Sequence, residues 1–196
     1  MTSDRLQRQL AFIVEIDKAK SILRNSLVIE ERRRENDAEH AWHLAVMARL
    51  LAEYARVEID VDRVIEMLLV HDLVEIDAGD TFIYDTAARE RQAEKERAAA
   101  DRIFGLLPSD QADALRASWE EFEARQTPEA KFAFALDRLQ PLLLNFHTQG
   151  HAWRKHGVRR AQVTAVNATI ADGAPELWDY ARGLIEEAVR RGHLSE

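Results

Sequence analysis

Residues 61–80 read VDRVIEMLLVHDLVEIDAGD, and this stretch decides the fold. Val64, Ile65, Leu68 and Leu69 recur at helical spacing. A helix is therefore expected from near Asp60 or Asp62 to about Asp77, with those four residues as its buried face. Gly79 is the stop signal. His71 and Asp72 stand at the end of the apolar run. Two ionisable groups placed there are costly unless they are paired or bound to a metal.

The same helical grammar extends in both directions. Seven glycines and four prolines are too few to punctuate a strand-rich chain, and Ala, Leu, Glu and Arg dominate, so an all-α fold is expected. Upstream, a helix is read over residues 3–24 with Leu6, Leu10, Ile13 and Ile16 on one face. A charged irregular stretch follows over 25–36. A second helix starts at Asn36, where Asn36 and Glu39 can form a capping box, and carries the stripe Ala38, Trp42, Ala45, Val46 and Leu50. Downstream, 86–102 is helical but weakly amphipathic, as expected of a helix partly exposed over a site. Pro108-Ser109-Asp110 opens a helix with Leu115, Trp119 and Phe122 inward. Thr127-Pro128-Glu129 combines a cap, a first-turn proline and an acid at the positive helix end. That helix buries Phe132, Leu136 and Leu139, and Pro141 is expected to kink it. Two helices, about 157–171 and 175–191, close the chain, the last burying Leu177, Tyr180, Leu184, Ile185 and Val189. No repeat or linker divides the sequence, so residues 1–196 are read as one domain, with the motifs in about 5–150 and the last helices packed on it.

Composition narrows the function. With 46% apolar and 32% charged residues the chain is globular. With no cysteine, a thiolate nucleophile and a sulfur-ligated zinc are excluded. The balance of 35 acidic against 27 basic residues argues against a nucleic-acid polymer, which needs clustered cations. No apolar run reaches the roughly 20 residues of a membrane span. MTSDRLQRQL lacks the apolar centre of a signal peptide, so a soluble cytoplasmic protein is expected.

Chemistry concentrates around His71-Asp72. His40 falls in the first turn of its helix, and Asp137 lies mid-helix between Leu136 and Leu139. Glu75 follows His71 by four residues and Asp72 by three, so the three share a helix side. Two histidines and two aspartates from three helices suit one divalent transition metal, Zn, Mn, Fe, Co or Ni. A metal-free imidazole–carboxylate tie between helices is the competing use of the same residues. His43, one turn beyond His40, is an alternative ligand. His147, ten residues past Asp137, is too far along a straight helix to share its metal, and His151 and His156, beside Gly150 and Gly157, read as loop residues. Trp42 reads as a core residue or a pocket wall, and Trp119, Trp153 and Trp178 as core or interface residues.

The order His40, His71-Asp72, Asp137 resembles the HD-domain metal-dependent phosphohydrolases. The segments Glu35-Asn36-Asp37-Ala38-Glu39-His40, Val70-His71-Asp72-Leu73-Val74-Glu75 with Gly79-Asp80, and Thr127-Pro128-Glu129-Ala130-Lys131-Phe132 leading to Leu136-Asp137-Arg138-Leu139 carry it. The subgroup resembled is the 5′-deoxynucleotidase-like branch. The resemblance implies that His40, His71, Asp72 and Asp137 bind the metal. It implies that Glu75 and Asp80 serve the reaction, one acting on the attacking water and the other on the leaving oxygen. Arg24 lies near the subgroup's phosphate-binding arginine. The chain departs in reading Arg24-Asn25-Ser26-Leu27, with no tryptophan after the arginine to shape a sugar pocket. Arg32, Arg33 and Arg34 are alternative cations.

The reading that follows is a metal-dependent phosphomonoester hydrolase acting on a nucleoside 5′-monophosphate or related small phosphate. The alternative is a non-catalytic helical metal-binding regulatory or interaction module. A homodimer is implied by the resemblance. Asp72, Glu75, Asp77, Asp80 and Asp85 fall in one segment without Lys or Arg, a negative field that suits a divalent cation.

Overall fold

In the computed structural model, residues 3–30, 33–81, 83, 84 and 86–196 are described, with side chains omitted over 86–91. Arg32 and Asp85, named above, lie outside the described residues. Among the described residues, the regular structure is helical apart from one small hairpin. The elements are α1 (Asp4–Ile16), β1 (Leu23–Leu27), β2 (Arg34–Asn36), α2 (Asp37–Leu51), α3 (Val61–Val70), α4 (Glu75–Ala78), α5 (Thr86–Phe104), α6 (Ser109–Ala124), α7 (Pro128–His147), α8 (His151–His156), α9 (Arg160–Asn167), α10 (Ile170–Gly173) and α11 (Pro175–Arg190). Among the described residues, no helix is long and apolar enough to cross a membrane.

Helix α7 is the axis of the molecule. Its start signals act as expected: Thr127 Oγ1 caps the Ala130 N–H and Pro128 sits in the first turn. Phe132, Leu136 and Leu139 are buried, but so are Phe134, Asp137, Gln140, Leu142 and Asn145, which point in other directions. A helix covered all round is a core helix rather than an amphipathic one. Helices α2, α3, α6, α10 and α11 pack against it. Helix α10 approaches closely, because a Cβ on Gly173 would stand 2.3 Å from the Lys131 carbonyl oxygen.

The decisive stretch folds as a helix with a break. Helix α3 ends at Val70, His71–Val74 tighten into a 3₁₀ turn, and α4 follows at Glu75. Val64, Met67 and Leu68 belong to the core around α7. Val70 and Val74 belong to a second core with Phe12, Ile103, Phe104 and Trp119. The 3₁₀ turn bridges the two cores: the His71 ring lies 4.8 Å from that of Phe122 in the first, and Val74 belongs to the second. Of the four residues expected as the buried face, Val64 and Leu68 are fully buried, Ile65 is partly buried, and Leu69 is exposed.

Other expectations are corrected. The first helix stops at Ile16 rather than at 24, and its Leu6, Leu10 and Ile13 face outward while Phe12 is buried. The stretch 25–36, expected to be irregular, supplies most of an antiparallel hairpin pairing Leu23 with Asn36 and Leu27 with Arg34. The capping box at Asn36 and Glu39 forms as expected. The face it leads is the other one: His40, Leu44, Met47 and Ala48 are buried, while Trp42, Val46 and Leu50 are 65%, 41% and 67% exposed. Trp42 is therefore not a core residue. Trp119 and Trp153 are buried as expected, and Trp178 packs on the core partly exposed. His151 and His156 bound a short helix rather than a loop, and the segment read as one helix over 157–171 divides into α9 and α10. In α11, Leu177 and Ile185 are buried but Tyr180 is 56% exposed.

Candidate metal centre

Four elements deliver the side chains. The capping box fixes the start of α2 and places Asp37 and His40 in its first turn. The 3₁₀ turn presents His71 and Asp72. Asp137 comes from the middle of α7, four residues before Pro141, whose ring removes the N–H that would bond its carbonyl. The hairpin carries Arg24 inward, and the Asp37 N–H donates to the Ile22 carbonyl at 3.2 Å, tying the hairpin to α2.

The four residues expected as metal ligands come together. His40 Nε2 lies 3.0 Å from Asp137 Oδ1 and 3.9 Å from Asp72 Oδ2. His71 Nε2 lies 3.1 Å from that same Asp72 oxygen and 3.7 Å from that same Asp137 oxygen. His40, His71 and Asp137 are buried, and Asp72 is nearly so. The donor set fits a divalent transition metal. His71 Nδ1 donates to the Leu68 carbonyl oxygen at 2.9 Å, which leaves Nε2 as the nitrogen that would ligate a metal once its own proton is lost. His71 Nε2 is buried with no aligned hydrogen bond, as expected of a nitrogen built to meet a cation. His43, the alternative ligand, instead meets the Gln140 amide through Nδ1 at 3.2 Å.

The other expected residues surround this point. Arg24 Nη1 binds Asp72 Oδ2 at 2.5 Å and Asp37 Oδ1 at 3.3 Å. Oxygens of Asp37, Asp72 and Glu75 lie within 4.8 Å of one another. Asp80 follows Gly79, whose φ of +76° suits a residue without Cβ, and accepts from Asn25 Nδ2 at 3.4 Å. Of the alternative cations, Arg33 pairs with Glu39 of α2 and Arg34 binds the Leu23 carbonyl of β1.

Electrostatics follow from crowding. Burial opposes the His71 imidazolium, yet Asp72 and Asp137 outweigh it and push the group up to about 10 in the metal-free protein. Burial, with Asp72 beside it, pushes the Asp37 carboxyl up to about 7. The same two causes raise Glu75 well above the usual carboxylate range, and burial raises Asp80. Burial works against the Arg24 charge, but Asp72, Glu75, Asp137 and Asp80 hold it well above its ordinary value.

A cleft of about 370 Å³ opens from this centre. His71, Asp72, Glu75, Asp80, Asp137 and Arg24 all line it, with Arg138 and Asn145 along α7. Helix α5 covers it as expected: Gln92 lines the cleft and donates to the Gly79 carbonyl at 2.8 Å. Several contributors carried no role in the sequence reading. Glu35 and Asp37 sit inside the quoted first-histidine segment. Gln140 is a polar residue in an otherwise apolar helix, three places after Asp137, and that incongruity was the available signal. Asn25 and Arg138 had none beyond proximity.

Comparison with known proteins agrees with the geometry. The HD domain family matches residues 16–178. The 5′-deoxynucleotidase HDDC2 of Xenopus laevis is 32% identical over 135 residues, covering 68% of this chain and 66% of that protein. The human protein of the same name is 31% identical over 135 residues, covering 68% of this chain and 65% of that protein. The match thus spans just under two thirds of these relatives' length. A crystal structure described as a predicted metal-dependent phosphohydrolase from Magnetospirillum magnetotacticum is 57% identical and superposes with a TM-score of 0.94, covering 98% of this chain and 96% of that one. A family match over most of the sequence, on a chain whose two histidines and two aspartates converge as described, makes this protein a member of the HD domain family.

Proposed function

We propose that the protein is a metal-dependent phosphomonoester hydrolase whose substrate is a nucleoside 5′-monophosphate or a closely related small phosphate. The observation that carries this reading is the convergence of His40 with His71, Asp72 and Asp137, the last three lining a cleft that Arg24, Glu75 and Asp80 also line. Relatives named 5′-deoxynucleotidase support the substrate class. In this reading the four residues hold one divalent transition metal, which when bound offsets phosphoryl charge and acidifies water.

The protein's own side chains do the rest. Arg24 binds the phosphate through its planar, charged fork. Glu75 and Asp80 both line the cleft, and one takes the proton of the attacking water while the other gives the leaving alcohol its proton. The water oxygen bonds to phosphorus as the ester P–O bond breaks. Asn25 stands beside Arg24 on the cleft wall and contacts Asp80, so the sugar meets an amide there. A cleft open to the centre suits a catalytic metal, which keeps an open position, better than a closed structural one. The whole chain acts as one domain in this reading, in the cytoplasm, as a homodimer that uses the exposed Trp42, Val46 and Leu50 face of α2.

Phosphate release from a panel of ribo- and deoxyribonucleoside monophosphates, with Mn or Co added, tests the proposal. Release that requires metal and disappears in Glu75→Gln is the expected result. No release from any member, while His71→Ala still loses metal, would leave the regulatory module standing.

A further inference from the structure

His40 offers Nε2 to the metal centre, and its other nitrogen meets a buried amide. Gln140 lies on α7, one turn beyond Asp137, with none of its surface exposed. Its Oε1 is 3.1 Å from His40 Nδ1. Its Nε2 is 2.6 Å from Glu35 Oε1 and 3.2 Å from His43 Nδ1. Glu35 is itself buried, with Oε2 3.6 Å from His40 Nδ1.

These contacts fix which way the amide points, by a chain of donors and acceptors. The amide Nε2 donates to Glu35 Oε1, so the NH₂ group faces Glu35. Its second hydrogen goes to His43 Nδ1. Only the oxygen remains for His40, and an oxygen accepts. His40 therefore donates from Nδ1, which turns Nε2 towards Asp137, 3.0 Å away, and makes Nε2 the nitrogen that would give up its proton to ligate a metal. A flipped amide would set its oxygen against the Glu35 carboxylate and its N–H groups against the His40 proton. We infer that Gln140, clamped by Glu35 and His43, is a positioning residue that sets the tautomer and ring orientation of His40 and thereby the affinity of the centre for metal. The inference rests on the metal-site reading of His40 and concerns residues to which that reading gives no part. Hydrogen bonds behind a ligating imidazole typically change metal affinity 10- to 100-fold.

The test is cobalt(II) titrated into the metal-free full chain, followed by visible absorption, with thermal melting in parallel. Gln140→Met keeps the length and removes the hydrogen bonds. It should bind cobalt about 10- to 100-fold more weakly and show an altered cobalt spectrum. The double variant E35Q/Q140E exchanges acid and amide at constant charge. The carboxylate, moved to position 140, would accept from His40 Nδ1 while the amide, moved to position 35, donates to it, and His43 can change tautomer to donate as well. The double variant should recover most of the lost affinity and the wild-type spectrum, which a residue that merely fills space would not do. Gln140→Met binding as tightly as wild type, or the double variant binding as weakly as Gln140→Met while melting like wild type, would overturn the inference. If Gln140→Met does not fold, the double variant decides alone: tight binding supports and weak binding overturns. Wild type that takes up no cobalt would remove the metal-site reading, and this inference with it.

Discussion

Replacing Arg24 by Met should weaken the metal-free protein and strengthen its response to metal. Arg24 Nη1 binds Asp72 Oδ2, the oxygen that also lies 3.1 Å from His71 Nε2 and 3.9 Å from His40 Nε2. A guanidinium thus compensates, in the metal-free protein, the charge that a divalent cation would otherwise balance. Breaking a buried ion pair by removing one partner costs about 3–5 kcal/mol. The low end applies, because Asp37 and Glu75, both raised, can take protons in compensation. A loss of about 3 kcal/mol corresponds to a fall in Tm of roughly 6–12 °C for a chain of this size. Metal supplies the missing positive charge, so the metal-loaded variant should recover most of that fall, and cobalt should stabilise the variant more than it stabilises wild type. Activity should move the other way. Losing charged hydrogen bonds to the phosphate, worth about 1.5–3 kcal/mol, lowers kcat/KM by roughly 10- to 150-fold. Differential scanning fluorimetry with and without cobalt, beside a phosphate-release assay, reads all of these. A metal-free variant that melts like wild type, with an unchanged cobalt shift, would refute the role of Arg24 as counter-charge at Asp72.

Four further outcomes follow from the same geometry. Metal-free stability should fall as pH rises from about 6.5 towards 10, because His71 has a folded value near 10 above its unfolded value; its contribution is complete below the unfolded value and lost as pH passes the folded one, as urea melts across that range would show. Metal uptake should release protons over the same window, measurable by calorimetry in buffers of different ionisation enthalpy. Gly79→Ala should cost about 1–3 kcal/mol through its positive φ and, by moving Asp80, lower kcat, so melting and turnover should drop together. Trp42→Glu should change monomer stability by less than about 0.5 kcal/mol, since the side chain is exposed, yet shift sedimentation towards monomer if α2 forms the dimer face.

Legibility in the sequence followed physical constraint. Helix starts with caps could be read, because a cap is a local demand met by local residues: Asn36 with Glu39 and Thr127 with Pro128 both hold. The identity of buried faces was less accessible. On α2 the stripe of Trp42, Val46 and Leu50 outweighed the alternative face by hydropathy, yet the tertiary fold buries the side bearing His40, Leu44 and Met47. Site chemistry overrides hydropathy there, since His40 has to reach Asp137 on α7. The hairpin was missed because its charged residues lack strand alternation. Arg34 serves it through hydrogen bonds to backbone carbonyls of β1, which no hydropathy pattern records. The expected ligands were legible because polar groups at apolar positions stand out. Glu35, Asp37 and Gln140 were not, since their partners are distant in sequence: Gln140 meets Glu35 across 105 positions.

One stoichiometric titration bears most directly on the proposed site. Metal-free protein receives cobalt in increments, and phosphate release from a deoxynucleoside monophosphate is measured at each step. Activity should climb from near zero and level off at one cobalt per chain, and Asp137→Ala should stay near zero throughout. Full hydrolysis without metal, or an unchanged titration curve in Asp137→Ala, would contradict a single catalytic metal held by His40, His71, Asp72 and Asp137.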